Sequence, residues 1–178
     1  MLEKTNTAFV LVDVQDKLLP VMHQRDALVA SLAKLIDGMK ALGVPIAWTE
    51  QYPQGLGPTV PEIAERLSGE PITKTAFSCW GEPRFAEALS ELGRKQIVLA
   101  GIEAHVCVHQ TAMDLLAAGY EVQVVADAVS SRTEANRLAA LGKLAAAGVA
   151  VTTVEMVLFE LLKVAEGPAF KAILRIVK

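Results

Sequence analysis

The sequence predicts an α/β fold: a three-layer α/β/α sandwich around a parallel, doubly wound, Rossmann-like sheet of about six strands. Three observations predict it. Apolar runs alternate with segments of helical spacing along the chain. The runs are continuous rather than alternating, as in strands covered on both faces. The composition is 52% hydrophobic but only 5% aromatic, rich in Ala, Val and Leu, which suits a sheet under aliphatic helices. With 178 residues the chain can bury a sizeable core. It has no internal repeat, low-complexity segment or long linker, so residues 1–178 are expected to form a single domain.

Thr7 to Val14 is an apolar run that reads as a central strand, with Asp13 at its end. From about Arg25 to Leu42, residues Leu28, Leu32, Leu35, Ile36 and Met39 share one helical face. Gly43 ends that helix and Pro45 opens the strand Ile46 to Thr49. A loop rich in Pro and Gly, Glu50 to Pro58, follows. Ile63 and Leu67 mark a short helix after Pro61, and Ile72 to Trp80 is irregular or a short edge strand. Phe85 to Leu92 is a helix closed by Gly93. Gln96 to Ala100 reads as a buried strand, and Val108 to Ala118 as a helix ended by Gly119. Glu121 to Ala126 is a strand. Ser131-Arg132-Thr133-Glu134 has the form of a capping box for a helix up to Ala147, stopped by Gly148. Val149 to Thr153 is the last strand, and two short helices broken by Gly167-Pro168 close the chain. This alternation implies right-handed crossovers between parallel strands.

The net charge of −3 carries no electrostatic footprint for nucleic acid. No apolar stretch is long enough to span a bilayer, and the first residues lack the basic-then-apolar layout of a signal peptide. The two cysteines, Cys79 and Cys107, fit neither a disulfide framework nor a zinc site. A cytoplasmic protein is expected.

Cys107 stands where the strand Gln96–Ala100 gives way to the following helix. Helix N-termini favour a thiolate, and open α/β sheets place active sites at the carboxyl ends of strands. Asp13 ends the first strand, where a carboxylate could deprotonate a nucleophile over a neighbouring strand. Lys74, in Thr73-Lys74-Thr75-Ala76-Phe77-Ser78, would lower a nearby thiol pKa or hold a nearby carboxylate ionised. Taken alone, each has a blander reading: a small buried hydrophobe, a loop cap and a surface lysine.

Together the three form a layout. Val-Asp-Val-Gln-Asp holds Asp13, Ile-Thr precedes Lys74, and Gly-Ile-Glu-Ala-His-Val-Cys-Val holds Cys107. Over about Thr7 to Thr153 this resembles the isochorismatase-like, or cysteine hydrolase, superfamily. The Gly55-Leu56-Gly57 loop and the stretch Ala126 to Arg132 look closest to its small isochorismatase domain-containing members. The resemblance implies Cys107 as nucleophile, Asp13 as base and Lys74 as stabiliser of the charged pair. It also implies a cis peptide joining Ile102 to Glu103, with the N–H groups of Glu103 and Cys107 forming an oxyanion hole. A small amide, carbamoyl or related C–N substrate would then be cleaved through a thioester.

The sequence departs from its metal-dependent relatives. Nicotinamidases carry an Asp-x-His and a further His after the second strand. Here that region reads Glu50-Gln51-Tyr52-Pro53-Gln54-Gly55, without histidine. No metal and no organic cofactor is therefore expected. Isochorismatases proper hydrolyse a vinyl ether without a cysteine nucleophile, so Cys107 points towards an amide, carbamoyl or ester. Vinyl-ether hydrolysis remains an alternative, as does a silent binding or interaction protein on the same fold. A nucleotide-binding domain fits poorly, because Asp13-Val14-Gln15-Asp16-Lys17 has no glycine-rich loop.

Trp48, Gln51, Tyr52, Phe77 and Trp80 fall in or near loops after strand ends and are the expected pocket lining for a small-molecule substrate. His105 and His109 read as polar residues of a subunit contact or pocket rim, and Arg132 is a candidate ion-pair partner for Glu103. The very apolar C-terminal helices suggest a homo-oligomer.

Overall fold

In a computed structural model that describes residues 1–178, six strands form one sheet: β1 (Thr7–Val12), β2 (Ile46–Gln51), β3 (Ile72–Lys74), β4 (Gln96–Ile102), β5 (Glu121–Ser130) and β6 (Ala150–Thr152). All neighbours are parallel, in the order β3-β2-β1-β4-β5-β6. The order reverses between β1 and β4, which makes the gap above their carboxyl ends the switch point where such sheets bind ligands. Every residue of β1 and β4 is buried, as their uninterrupted apolar sequences require.

Eight helices cover the sheet: α1 (Arg25–Leu42), α2 (Pro53–Leu56), α3 (Pro61–Ala64), α4 (Pro83–Glu91), α5 (His109–Ala117), α6 (Glu134–Ala146), α7 (Val154–Leu162) and α8 (Gly167–Val177). Helix α1 packs with α3, α7 and α8, whereas α5 packs with α6 and with the turn ahead of α4. The buried stripe of α1 includes Leu28, Leu32, Leu35, Ile36 and Met39, the face that the spacing predicts. Gly43 ends α1 in a left-handed conformation, its N–H donating to the Lys40 and Met39 carbonyls.

Several boundaries differ from those the sequence suggests, and β2 runs on to Gln51 rather than ending at Thr49. β1 stops at Val12, because Asp13 turns into the left-handed region at φ 51. β4 and β5 run on to Ile102 and Ser130, since Gly101 pairs with Val129 and Ile102 with Ser130 beyond a register shift after Leu99. Continued pairing outweighs the polar residues that seemed to end β5. The cap of α6 is Thr133, whose side chain accepts from the Asn136 N–H, so Ser131 lies outside the helix. Cys107 lies in a π-helical turn, Ala104–Val108, ahead of α5. The Ile102–Glu103 peptide leading into that turn is cis.

Candidate active site

Asp13 follows β1, and its N–H extends the ladder by donating to the Thr49 carbonyl at 3.2 Å. Its left-handed backbone is a conformation Asp tolerates better than most residues. The carboxylate is fully buried and has a donor on each oxygen. Lys74 Nζ donates to Oδ2 at 2.7 Å, and Thr49 Oγ1 donates to Oδ1 at 2.8 Å. β2 carries Thr49 beside Val12 in the register, and β3 carries Lys74 beside Gln51. Three adjacent strand ends thus converge on one carboxylate.

The Lys74 ammonium has other acceptors as well: Gln51 Oε1 at 2.6 Å, and the Phe77 and Ala76 carbonyls at 3.1 and 3.2 Å. Burial alone would depress its pKa. Burial is the largest single influence, but the charge of Asp13, the two nearby cysteines and the hydrogen bond to Asp13 together outweigh it, so the group is held above the usual lysine value and stays charged. An ion pair with no side-chain exposure is costly unless its remaining donors and acceptors are satisfied, and here they are.

Cys107 completes the group from the π turn, 6% exposed. Burial pushes its thiol up to about 12, the Asp13 charge adds to this, and the Lys74 charge opposes it. At neutral pH the cysteine is therefore a protonated thiol within electrostatic reach of the Asp13 carboxylate and the Lys74 ammonium. The turn that holds it is closed by the Val106 and Val108 N–H groups, which both donate to the Glu103 carbonyl. No acceptor within the protein engages the Glu103 N–H.

These elements carry the signature of a known family. A family model described as Isochorismatase domain matches residues 7–156. The chain belongs to that family. It is 44% identical over 173 residues to isochorismatase domain-containing protein 2 of Danio rerio, covering 97% of this chain and 87% of that protein. Among solved structures, the Mar1 ribonuclease of Caenorhabditis elegans is 38% identical with a TM-score of 0.92, over 99% of this chain and 91% of that one. The YcaC gene product of Escherichia coli, an octameric hydrolase of unknown specificity, is 30% identical with a TM-score of 0.88, over 92% and 83% of the two chains.

The residues around the family's site distribute unevenly. Gln51 uses its side chain to bind Lys74 and the Thr75 carbonyl. Tyr52 and Phe77 are more than half exposed, and Tyr52 lines a cavity of about 260 Å³ with Gln54, Thr73, Lys74, Thr75 and Glu82. Trp48 is buried and faces a groove with Ile46, Ile72 and Leu92, away from that cavity. Trp80 packs edge-on against Tyr120, ring centroids 5.6 Å apart. Glu103 pairs with Arg132, accepting from both its backbone N–H and its Nε at 3.1 Å. His105 Nδ1 lies 2.9 Å from Ser131 Oγ, and burial followed by the Lys143 charge lowers the His109 pKa. No three His, Cys, Asp or Glu side chains converge as a metal set. No helix is long and apolar enough to cross a membrane.

Sequence reasoning missed Thr49, Cys79 and Gln15. Gln15 Nε2 donates to the Gln51 and Gly57 carbonyls, and its Oε1 accepts from the Gln51 N–H. Thr49 was within reach: its strand runs beside β1 and ends at the same level. Cys79 Sγ lies 3.7 Å from Thr49 Oγ1, a proximity that no local signal announces.

Proposed function

We propose that the protein is a cysteine hydrolase of small amide or carbamoyl substrates, with Cys107 as nucleophile, Asp13 as base and Lys74 as electrostatic partner. The observation that carries this is the buried Asp13–Lys74 pair, 2.7 Å apart, with the buried Cys107 thiol close enough to feel both charges. A thiol raised to about 12 is not a standing thiolate. It must lose its proton as it attacks, and Asp13 is placed to take it. The three groups sum to zero charge before and after that transfer, so a buried site does not have to accommodate a net charge. Lys74 stabilises the product thiolate through space, as it now stabilises Asp13.

The sulfur then adds to the carbonyl carbon, and the Glu103 and Cys107 N–H groups would receive the oxyanion. Collapse breaks the C–N bond, and Asp13 returns its proton to the departing amine. Water, deprotonated by Asp13, cleaves the thioester to acid and restores the thiol. The net change is substrate plus water to acid plus amine. Gln51 acts here as a clamp on Lys74, whereas Tyr52 and Phe77 offer aromatic surface at the rim. No metal or cofactor takes part in these steps.

The site does not favour a polyanion such as RNA. Lys74 is engaged by Asp13, and Glu82 lines the neighbouring cavity. The test is amine release from a panel of primary amides and N-carbamoyl compounds, with Cys107→Ala as control and RNA as a parallel substrate. Amine release that the control lacks supports the proposal. Turnover that survives Cys107→Ala, or cleavage of RNA alone, contradicts it.

A further inference from the structure

We infer that Thr49 is a positioning residue for Asp13, its hydroxyl fixing the orientation of the carboxylate while Cys79 fixes the direction of that hydroxyl. The inference deepens the proposed function and rests on Asp13 being the base. Thr49 Oγ1 is 2.8 Å from Asp13 Oδ1, and both residues are buried, Thr49 at 1% exposure and Asp13 at 0%. An ionised carboxylate can only accept, so the single Thr49 proton goes to Asp13. The lone pairs of Oγ1 are left for another donor. Cys79 Sγ lies 3.7 Å away, and Cys79 is held by its own N–H, which donates to Thr111 Oγ1 at 2.9 Å. Burial pushes the Cys79 thiol up to about 11, so it remains an S–H donor. The proton order is then fixed: Cys79 to Thr49 to Asp13.

The consequence is a division of labour on the carboxylate. Lys74 occupies Oδ2 and Thr49 occupies Oδ1, which prevents rotation about the terminal bond. The ionisable groups facing Asp13 are Lys74 from β3, Cys107 from the π turn and Cys79 from the turn before α4. None of the three can replace the Thr49 hydroxyl at Oδ1, because Lys74 is committed to Oδ2 and Cys79 reaches Asp13 only through Thr49. Thr49 thus keeps the base aimed.

The experiment is the ¹³C-carboxyl NMR chemical shift of Asp13 at pH 7, paired with the rate of Cys107 alkylation by iodoacetamide. It uses the full chain as wild type, Thr49→Val, Thr49→Ser and Cys79→Ala, with Asp13→Asn to assign the signal. Thr49→Val keeps shape and removes the donor. It should move the Asp13 carboxyl signal and slow alkylation at neutral pH about tenfold. Thr49→Ser should restore both, and Cys79→Ala should move both in the direction of Thr49→Val by less. Thr49→Ala serves if the valine variant does not fold. A carboxyl signal that Thr49→Val leaves in place, or that Thr49→Ser fails to restore, overturns the inference. Alkylation that is slowed by neither Asp13→Asn nor Thr49→Val would overturn the reading of Asp13 as base, even with the NMR shift present.

Discussion

At the scale of single residues, both thiols of this protein are held neutral by burial, to about 11 for Cys79 and about 12 for Cys107. In the unfolded chain each ionises near the ordinary thiol value of 9.0. The native state therefore binds more protons above pH 9, and stability falls as pH rises. What the neutral thiols contribute is complete below the unfolded value and is lost between it and the folded value. Between pH 8 and pH 10 the loss should be about 2–3 kcal/mol for the two together. Urea unfolding at the two pH values checks this, and Cys79→Ala should roughly halve the slope. Asp13, Lys74 and Cys107 stood out in the sequence because their motifs taken together resemble those of a known family, each alone having a blander reading. Thr49 and Cys79 did not, because a hydroxyl and a thiol in apolar surroundings look like packing until their neighbours are placed.

At the scale of elements, two glycines separate close approach from mere permissiveness. A Cβ on Gly101 would lie 2.1 Å from the Val12 carbonyl oxygen, at φ +114, in the strand that leads to Cys107. Backbone cannot swing aside as a side chain can. Gly101→Ala should cost about 3 kcal/mol or more, from strain and overpacking together. Gly142 lies within α6, and a Cβ there meets nothing within 4 Å. Gly142→Ala should stabilise by about 0.5–1 kcal/mol through helix propensity. Thermal melts of the two variants should move in opposite directions. Strand and helix identities were legible from hydrophobic period, since β1, β4 and α1 have unambiguous patterns. Their ends were not, because pairing partners decide them. β5 passes through Asp127 and Ser130 only because β4 continues alongside. Thr133 rather than Ser131 caps α6 because β5 occupies the chain as far as Ser130.

At the scale of the molecule, the strand order matters more than any one motif. Asp13 and Cys107 are 94 positions apart in sequence but follow adjacent strands, because β4 returns to the far side of β1. Alternating elements made a parallel, doubly wound sheet of about six strands the expectation, and the sheet bears it out. The α7–α8 surface is the other whole-molecule feature. Met156, Phe159 and Val164 are exposed there, around a groove that also includes Leu162 and Phe170. We propose that this apolar face meets a second copy of the chain. Light scattering should then give a multiple of the 19.0 kDa chain mass, and Phe159→Glu should shift it towards that mass.

The most direct test of the central claim is the rate of Cys107 carbamidomethylation by iodoacetamide at pH 7, followed by peptide mass mapping. Wild type, Asp13→Asn and Lys74→Ala are compared, each checked for folding by circular dichroism. If Asp13 assists loss of the thiol proton and Lys74 stabilises the resulting charge, both substitutions slow labelling, Asp13→Asn by about 10²-fold or more. A rate in wild type no faster than in either variant would leave a buried, inert thiol and contradict the catalytic reading.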